Sequence, residues 1–216
     1  MTDRTLPSEA PRILRCGATA LLVELGSLEA VIALRLHLDA SPIDGVVEMV
    51  SAFRTLLVRY DSVVVTEQRL RELLSQTVPV AESVGKPSAD IVEIPVIYDG
   101  EDLESVATST GLGVAGVIRE HTGQVWTSAF CGFSPGFSYL VAPSRRLEVA
   151  RRTNSRTLVP AGSVGLAAGF SGVYPRSSPG GWQLIGRTEV SMWSLNRLPP
   201  ALAPAGTLVR FVDAGQ

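Results

Sequence analysis

Residues 156–188 read RTLVPAGSVGLAAGFSGVYPRSSPGGWQLIGRT, a stretch in which short β-prone runs alternate with turns of glycine, proline and serine. The runs at 156–160, 164–167 and 182–186 each hold four or five residues, and further runs stand at 125–131 and 207–213. Many short strands separated by frequent turns are typical of a β-barrel or a β-sandwich. The sequence therefore predicts one of these two architectures for a second domain, residues 86–216.

Two helical stripes come before this β region. A strand is predicted at 91–98, and its Pro95 favours a position at a sheet edge. Apolar residues then recur at helical spacing in two segments, the first of which ends at Gly111. The second segment includes His121 and ends at Gly123.

The first 85 residues predict a separate domain with the element order β-β-α-β-β-α. The strands are expected at 12–16, 19–25, 46–50 and 55–60. Ser27 and Thr66 are expected to cap the two helices, because a hydroxyl oxygen can accept a hydrogen bond from a free N–H in the first turn. This order indicates a compact sheet with helices on one side. A linker at 81–90, rich in turn-forming residues, would separate the two domains.

Composition favours a soluble globular protein over the other broad classes. The 216 residues are 45% hydrophobic and 19% charged, with a formal net charge of −2. No apolar run reaches the ~18 residues that a membrane span needs, and residues 1–11 lack the apolar core of a signal peptide. We therefore expect a cytoplasmic protein. Its two cysteines, Cys16 and Cys131, are expected to be buried thiols.

Positive charge is concentrated in residues 130–188, which hold seven arginines and a single acidic residue, Glu148. Such a stretch attracts anions such as carboxylates and phosphates, although a solvated surface would have the same composition. Nucleic acid is not an expected partner, because the whole chain is mildly acidic and contains no known nucleic-acid motif.

Three familiar kinds of functional site are excluded because the sequence lacks groups that each of them requires. Residues 132–136, GFSPG, resemble a hydrolase nucleophile elbow, but Pro135 lacks the N–H that an oxyanion hole requires and both histidines precede the serine. A phosphate-binding P-loop is absent, because the only lysine, Lys86, is followed by proline. The two histidines and two cysteines lack metal-ligand spacing, so we expect this chain to ligate no metal.

Three blocks in the second domain resemble one known family. Residues 133–140 (FSPGFSYL), 159–165 (VPAGSVG) and 178–188 (SPGGWQLIGRT) closely resemble the B subunits of 5-oxoprolinase, a family also known as allophanate hydrolase subunit 1. The family includes the sporulation kinase inhibitor KipI. Residues 45–48 (GVVE) and 56–61 (LLVRYD) extend the resemblance over nearly the whole chain.

The resemblance implies an α+β protein with a ferredoxin-like N-terminal domain, residues 1–85, and a cyclophilin-like β-barrel domain, residues 86–216. It also implies a heteromeric complex with the C and A subunits of the same enzyme, which opens 5-oxoproline to glutamate with ATP. The ATP would then be bound by the complex, and the isolated chain would be inactive. Two alternatives remain open: a regulator of a histidine kinase, and a subunit of the urea carboxylase or allophanate hydrolase type.

Four residues depart from the usual family pattern. Ser155 replaces a proline before Arg156, Phe170 and Ser171 replace a Gln-Thr pair, and Thr207 replaces an aspartate. These changes leave open whether the substrate is 5-oxoproline, allophanate or another small anion.

The candidate catalytic residues are His121, Arg156 and Ser163. His121 can transfer a proton near neutral pH, or it can be a structural residue of an apolar helix face. Arg156 can bind a carboxylate or phosphate, and Ser163 can donate to an oxyanion or simply shape a turn. The candidate substrate-binding residues are Phe133, Pro135, Gly136, Tyr139, Gly162, Ser171, Tyr174, Ser178, Pro179, Gly180, Gly181 and Trp182.

Overall fold

The computed structural model describes residues 11–77 and 91–215, and the chain divides into two compact units, Met1–Pro87 and Ser88–Gln216. The predicted boundary at residue 85 and the predicted linker at 81–90 lie outside the described residues. Each unit is described by itself below.

The N-terminal unit is a four-stranded antiparallel sheet with two helices. Its elements are β1 (Arg12–Arg15), β2 (Ala20–Glu24), α1 (Leu28–Ala40), β3 (Val46–Ser51), β4 (Thr55–Tyr60) and α2 (Glu67–Gln76). The strands lie in the order β1-β2-β4-β3. The predicted ββαββα order is confirmed, and the ferredoxin-like assignment stays a prediction.

Both helices of this unit begin where the hydroxyl residues predict. The Ser27 Oγ accepts a hydrogen bond from Ala30 N, and the Thr66 Oγ1 accepts one from Arg69 N, each at 3.2 Å. Both helices bury their apolar stripes in one core, against alternate residues of β2 and β4. The buried helical residues of that core are Val31, Leu34, Leu38, Leu70 and Leu74.

The C-terminal unit contains two helices and nine strands within the described residues. Its elements are β5 (Val92–Val96), α3 (Leu103–Thr110), α4 (Gly113–Thr122), β6 (Trp126–Cys131), β7 (Ser138–Val141), β8 (Arg156–Val159), β9 (Ser163–Ala167), β10 (Phe170–Val173), β11 (Ser178–Gly180), β12 (Gln183–Arg187) and β13 (Leu208–Asp213). Gly111 ends α3 in the left-handed conformation, with φ of 69°, as its place after the helical stripe predicts.

Seven of these strands form a barrel-like sheet, in the order β12-β9-β10-β7-β6-β13-β5. The two end strands are joined just beyond β5, because Ile97 and Arg187 exchange backbone hydrogen bonds of 2.9 Å in both directions. Of the two architectures left open by the sequence, the structure therefore has the barrel. The strands β8 and β11 form a separate antiparallel pair outside that sheet. The cyclophilin-like assignment stays a prediction.

The barrel core is filled from the sheet and from both helices. Val106 of α3 and Val117 of α4 are buried together with Ile94, Trp126 and Phe211 from the strands. Pro95 lies in β5, which forms a parallel ladder with β13 and stands at the end of the strand order in the described part of the chain. A residue without an N–H is tolerated in such an edge strand.

Two surface features complete the description. Both cysteines are free thiols, but Cys16 is exposed and Cys131 is half-buried, so the prediction of two buried thiols is wrong. Cys16 directly follows β1, the strand at one end of the four-stranded sheet. None of the helices in the described ranges is long and apolar enough to cross a membrane.

The barrel closure predicts a stability effect at Gly186. A Cβ atom at this position would lie 2.5 Å from Ile97 O, so Gly186→Ala has to push apart the bridge between Ile97 and Arg187. We expect it to lower the free energy of unfolding by about 1–3 kcal/mol, the usual cost of overpacking. Urea denaturation followed by tryptophan emission measures this, because all three tryptophans belong to the C-terminal unit.

Gly132→Ala is the matched control for this measurement. A Cβ there would meet only Tyr139 Cε2, at an ordinary 3.6 Å, so the change is expected to stay within about 0.5 kcal/mol. Equal stability of the two variants would contradict the closure at Gly186.

Candidate functional site

The three blocks of the sequence that carry the predicted site meet in the C-terminal unit. Phe137 lies at the centre, with ring centroids 5.3 Å from Tyr174, 5.2 Å from Trp182 and 5.5 Å from Phe133. Tyr139 adds an edge contact of 5.6 Å to Trp182. Aromatic rings in this perpendicular arrangement attract one another beyond simple burial. The structure thus brings the predicted aromatic residues together.

Burial divides the predicted residues into three groups. The buried ones are His121, Gly136, Ser163, Ser171, Tyr174, Gly181 and Trp182. The half-buried ones are Tyr139, Arg156, Gly162, Ser178 and Gly180. The exposed ones are Phe133, Pro135 and Pro179. A ligand arriving from solvent therefore meets the second and third groups, while the first group supports them from behind.

His121 is fully enclosed by the barrel unit, and both ring nitrogens have partners. The Tyr98 hydroxyl lies 2.7 Å from Nδ1, the Ser171 hydroxyl lies 2.7 Å from Nε2, and the ring stacks on Phe211 at 4.1 Å. Burial lowers the pKa of His121 to about 3, so the ring is neutral near pH 7. This environment fits the structural alternative that the sequence left open.

Ser171 shares that interior position. Its hydroxyl is hydrogen-bonded to His121, and the residue has no exposed surface. Burial, followed by the nearby Asp213 charge, raises the pKa of Tyr98, so this phenol also stays protonated. The chain Tyr98–His121–Ser171 consequently holds strand β10 to helix α4 and to the end of β5.

Arg156 lies on β8, where two carboxylates hold its guanidinium. Its Nη2 donates to Asp102 Oδ1 at 3.0 Å and to Glu101 Oε2 at 3.0 Å. Arg152 also donates to Asp102. The two carboxylates lie at the start of α3, and the two arginines lie at or just before β8. These ion pairs thus join two segments that are about 50 residues apart in the sequence.

Asp102 is a residue of the candidate site that the sequence did not single out. It is buried, and its Oδ2 accepts a hydrogen bond of 2.7 Å from Leu184 N in β12. Burial alone raises the pKa of this carboxyl, but the Arg156 and Leu184 hydrogen bonds and the charges of Arg156 and Arg152 hold it below its usual value. Its position before Leu103 suggests an ordinary helix cap, yet its side chain makes no capping bond.

The basic stretch of the sequence is largely neutralised in the fold. Five of its seven arginines have a carboxylate partner. The pairs are Arg145–Glu148, Arg146–Glu120, Arg152–Asp102, Arg156–Glu101, Arg156–Asp102, Arg187–Asp99 and Arg187–Glu189. Except for Glu148 and Glu189, these carboxylates belong to residues 99–120. Arg151 and Arg176 have no ion pair with any residue of 11–77 or 91–215.

Arg151 is the exposed cation beside the aromatic cluster. Burial raises the pKa values of Tyr139 and Tyr174, and the Arg151 charge acts against this rise at both tyrosines. Two donors on the paired strands β8 and β11, Arg156 Nη1 and Ser178 Oγ, are buried and have no hydrogen-bond partner among the described residues. Unpartnered donors of this kind are suited to an anion.

Ser163, Gly162 and Gly180 have structural roles in the backbone of this region. Ser163 N donates to Pro160 O at 3.3 Å, and Ser163 O accepts from Tyr174 N at 2.9 Å, so the backbone of Ser163 is already used within the turn. Gly162 has φ of +81°, and a Cβ there would collide with Thr188 O. A Cβ at Gly180 would collide with the Tyr174 hydroxyl. Glycine is needed at both positions because backbone and ring approach so closely.

One cleft of about 250 Å³ lies in the N-terminal unit between α1 and β3, where Leu38, Ile43 and Met49 form its apolar wall, and none of the predicted site residues lines it. Within residues 11–77 and 91–215, no group of three or more His, Cys, Asp or Glu side chains is placed to hold a metal.

Asp102→Asn tests the role of the buried carboxylate through the pH dependence of stability. Since its pKa is depressed on folding, ionised Asp102 stabilises the folded state fully above its unfolded pKa of about 4, and this contribution disappears as the pH falls through the folded pKa. We expect the wild type to exceed the variant in unfolding free energy by a constant amount above about pH 5 and by a shrinking amount below about pH 4.

Urea denaturation between pH 3 and pH 8 measures this difference. Asp99→Asn is the control, because the Asp99–Arg187 pair is about half exposed and such pairs contribute at most about 1 kcal/mol. A difference between wild type and Asp102→Asn that does not change with pH would contradict the ionised state of Asp102.

Comparison with known proteins places this geometry in a family. The sequence pattern described as "carboxyltransferase domain, subdomain C and D" matches residues 11–203. The Bacillus subtilis protein named as the B subunit of 5-oxoprolinase is 38% identical over 189 residues, which cover 82% of this chain and 79% of that protein. The Escherichia coli O157:H7 protein of the same name is 44% identical over 130 residues, which cover 59% of this chain and 60% of that protein.

A solved structure supports the same assignment. The crystal structure of TTHA0988 superposes with a TM-score of 0.74 and 33% sequence identity, covering 91% of this chain. This chain spans only 40% of the length of TTHA0988. Identity above 30% over most of the chain, together with the matched pattern, assigns the family: this chain belongs to the carboxyltransferase-domain proteins of subdomain C and D, and among them to the B subunits of 5-oxoprolinase.

Proposed function

We propose that this chain is the B subunit of a cytoplasmic, ATP-dependent 5-oxoprolinase, which opens 5-oxoproline to glutamate in complex with its C and A subunits. The observation that carries the proposal is the 38% identity to a protein of that name over 82% of this chain. The donors and aromatic rings around Arg156 and Arg151 suit a small anionic substrate with a planar ring.

The reaction has to break a stable amide within a five-membered ring. In the proposed sequence the amide oxygen takes the terminal phosphoryl group of ATP, and ADP leaves. Water then adds to the activated carbon, and the ring C–N bond breaks as the nitrogen takes up a proton. The resulting acyl phosphate is hydrolysed by a second water to glutamate and phosphate. Each step develops negative charge on oxygen, which fixed cationic donors stabilise.

Arg156 is the proposed anion-binding residue of this chain. Glu101 and Asp102 fix its Nε and Nη2, so the guanidinium is held in place before a ligand arrives. Its Nη1 has no partner among the described residues but is buried, so it binds one oxygen of a substrate carboxylate or phosphoryl group only when the groups that cover it move aside. Preorganised donors of this kind lower the barrier without reorganisation during the reaction. Arg151 adds a second positive charge at the exposed edge of the cluster.

The remaining candidates have supporting roles in the proposal. Phe133 and Tyr139 form the accessible part of the aromatic surface, against which a ring can pack. His121 acts as a positioning residue, because it contacts Ser171 and Tyr98 inside the unit and cannot reach a ligand outside it. Ser163 shapes the turn before β9. The partner proteins make most of the contacts with the ATP phosphates, since this sequence has no P-loop.

Reconstitution tests the proposal directly. The chain and the C and A subunits from the same organism are purified separately, combined, and supplied with 5-oxoproline and ATP. We expect glutamate and ADP in equal amounts from the full complex, and none when this chain or ATP is omitted. A stable complex of all three proteins that forms no glutamate would overturn the proposed function.

Arg156→Ala tests the assigned residue within that complex. Loss of a buried charged donor to an anion costs about 2–5 kcal/mol, so we expect kcat/KM for glutamate formation to fall at least 30-fold. Arg187→Ala, which removes a half-exposed arginine paired with Asp99, is expected to stay within twofold. Thermal unfolding of both variants separates lost binding from lost folding. Wild-type kinetics for a folded Arg156→Ala complex would show that the anion is bound elsewhere.

A further inference from the structure

The two carboxylates that bind the Arg156 guanidinium differ sharply in burial. The Asp102 side chain is 5% exposed, whereas the Glu101 side chain is 76% exposed. The Arg156 side chain lies between these extremes, with 14% of its surface exposed. The guanidinium therefore has one carboxylate on its interior side and the other on the side that faces solvent.

Asp102 is held too firmly to leave Arg156. Its Oδ2 also accepts a hydrogen bond of 2.7 Å from Leu184 N, and Arg152 donates to its Oδ1. Separating a buried carboxylate from such partners leaves its charge uncompensated in the protein interior. Asp102 thus keeps the Arg156 guanidinium in place, whatever binds on the solvent side.

Glu101 is held only by Arg156. Within residues 11–77 and 91–215, its side chain has two hydrogen bonds, and both end on Oε2, at 3.3 Å from Arg156 Nε and 3.0 Å from Arg156 Nη2. An exposed ion pair contributes little to stability, because water solvates the charge when the pair opens and the released side chain regains conformational freedom. Glu101 can therefore turn into solvent at small cost.

Glu101 occupies the edge of the guanidinium that suits a carboxylate best. The Nε–H and one Nη2–H form a fork, which matches the two oxygens of a carboxylate. Glu101 offers both donors a single oxygen, and the resulting distances of 3.3 and 3.0 Å exceed the about 2.7–2.9 Å typical of charged pairs. A free carboxylate that arrives from solvent can give each donor its own oxygen.

We infer that Glu101 is a placeholder, which occupies the Nε–Nη2 edge of Arg156 in the free protein and is displaced by the carboxylate of the substrate. The inference rests on the proposed function, and it names the donors that the substrate reaches first. Binding at the buried Nη1 requires the groups that cover it to move, whereas this edge opens when one exposed side chain leaves. One carboxylate replaces another, so the charge around Arg156 is the same before and after binding.

Glu101→Ala in the reconstituted complex tests the placeholder. The substitution leaves the edge open, so the KM for 5-oxoproline and its dissociation constant without ATP are expected to fall about threefold to sixfold, as the small contribution of a surface ion pair allows. The kcat is expected to stay within twofold, because Glu101 has already left Arg156 in the wild-type complex with substrate. Steady-state kinetics and titration calorimetry measure these constants.

Glu104→Ala is the matched control. Glu104 is exposed, lies in the first turn of α3 just after Glu101, and has no ion pair in the part of the chain that the structure describes. Its substitution removes the same charge without opening Arg156, so both constants are expected to keep their wild-type values. An equal fall in both variants would reveal a general effect of lost negative charge and would overturn the placeholder.

A double variant shows whether Glu101 acts through Arg156. When Arg156→Ala is already present there is no edge to open, so Glu101→Ala is expected to leave kcat/KM for glutamate formation within 1.5-fold of the single Arg156→Ala variant. The same gain in both backgrounds would contradict a contact between Glu101 and the substrate-binding edge of Arg156.

The outcomes separate this inference from the proposed function. Unchanged 5-oxoproline affinity of Glu101→Ala, in a complex that forms glutamate, would overturn the placeholder and leave the function intact. A lower KM for ATP alone would place a phosphoryl group at this edge and would also overturn the inference. Tighter 5-oxoproline binding by Glu101→Ala in a complex that forms no glutamate would overturn the function alone. Absence of 5-oxoproline binding by both wild type and variant would overturn both.

Discussion

Both oxygens of a buried carboxylate need hydrogen-bond donors, and those that bind Asp102 come from segments that are far apart in the sequence. It receives the Leu184 N–H of the barrel strand β12 and the guanidinium groups of Arg152 and Arg156. Because breaking one partner of a buried ion pair leaves an uncompensated charge, these segments cannot move independently. The position of Arg156, and with it the candidate anion site, depends on this one acidic residue.

The same pairing decides which positive charges are available for a ligand. The sequence concentrates arginines in residues 130–188, but carboxylates from residues 99–120 bind most of them when the chain folds. What remains among the described residues is Arg151 beside the tyrosines, Arg176, and one buried, unpartnered nitrogen of Arg156. The electrostatic attraction of the site is therefore local, and it is much smaller than the charge of the isolated stretch suggests.

The candidate ligand-binding residues of the barrel unit lie at its surface, and its interior supports them. His121, Ser171 and Tyr98 form a neutral hydrogen-bonded chain in the interior, where each polar atom has a partner. On the outside, two loops meet at Gly136 and Trp193 and leave Phe133, Leu195 and Leu198 in solvent. An interior network of satisfied groups stabilises one conformation, and this stability allows the loops to keep apolar side chains exposed.

The sequence by itself determined the local structure and the family. Hydroxyl caps at Ser27 and Thr66, the left-handed helix end at Gly111 and the alternation of short strands with Gly/Pro turns depend on neighbours within a few residues, so each could be identified from the pattern. Only the tertiary structure decided that Ile97 and Arg187 close the barrel and that His121 is buried. It also decided that Asp102 joins β12 to Arg152 and Arg156. These features join residues that are 50 to 90 positions apart, and the burial and charge around a side chain follow from such contacts, which no local periodicity records.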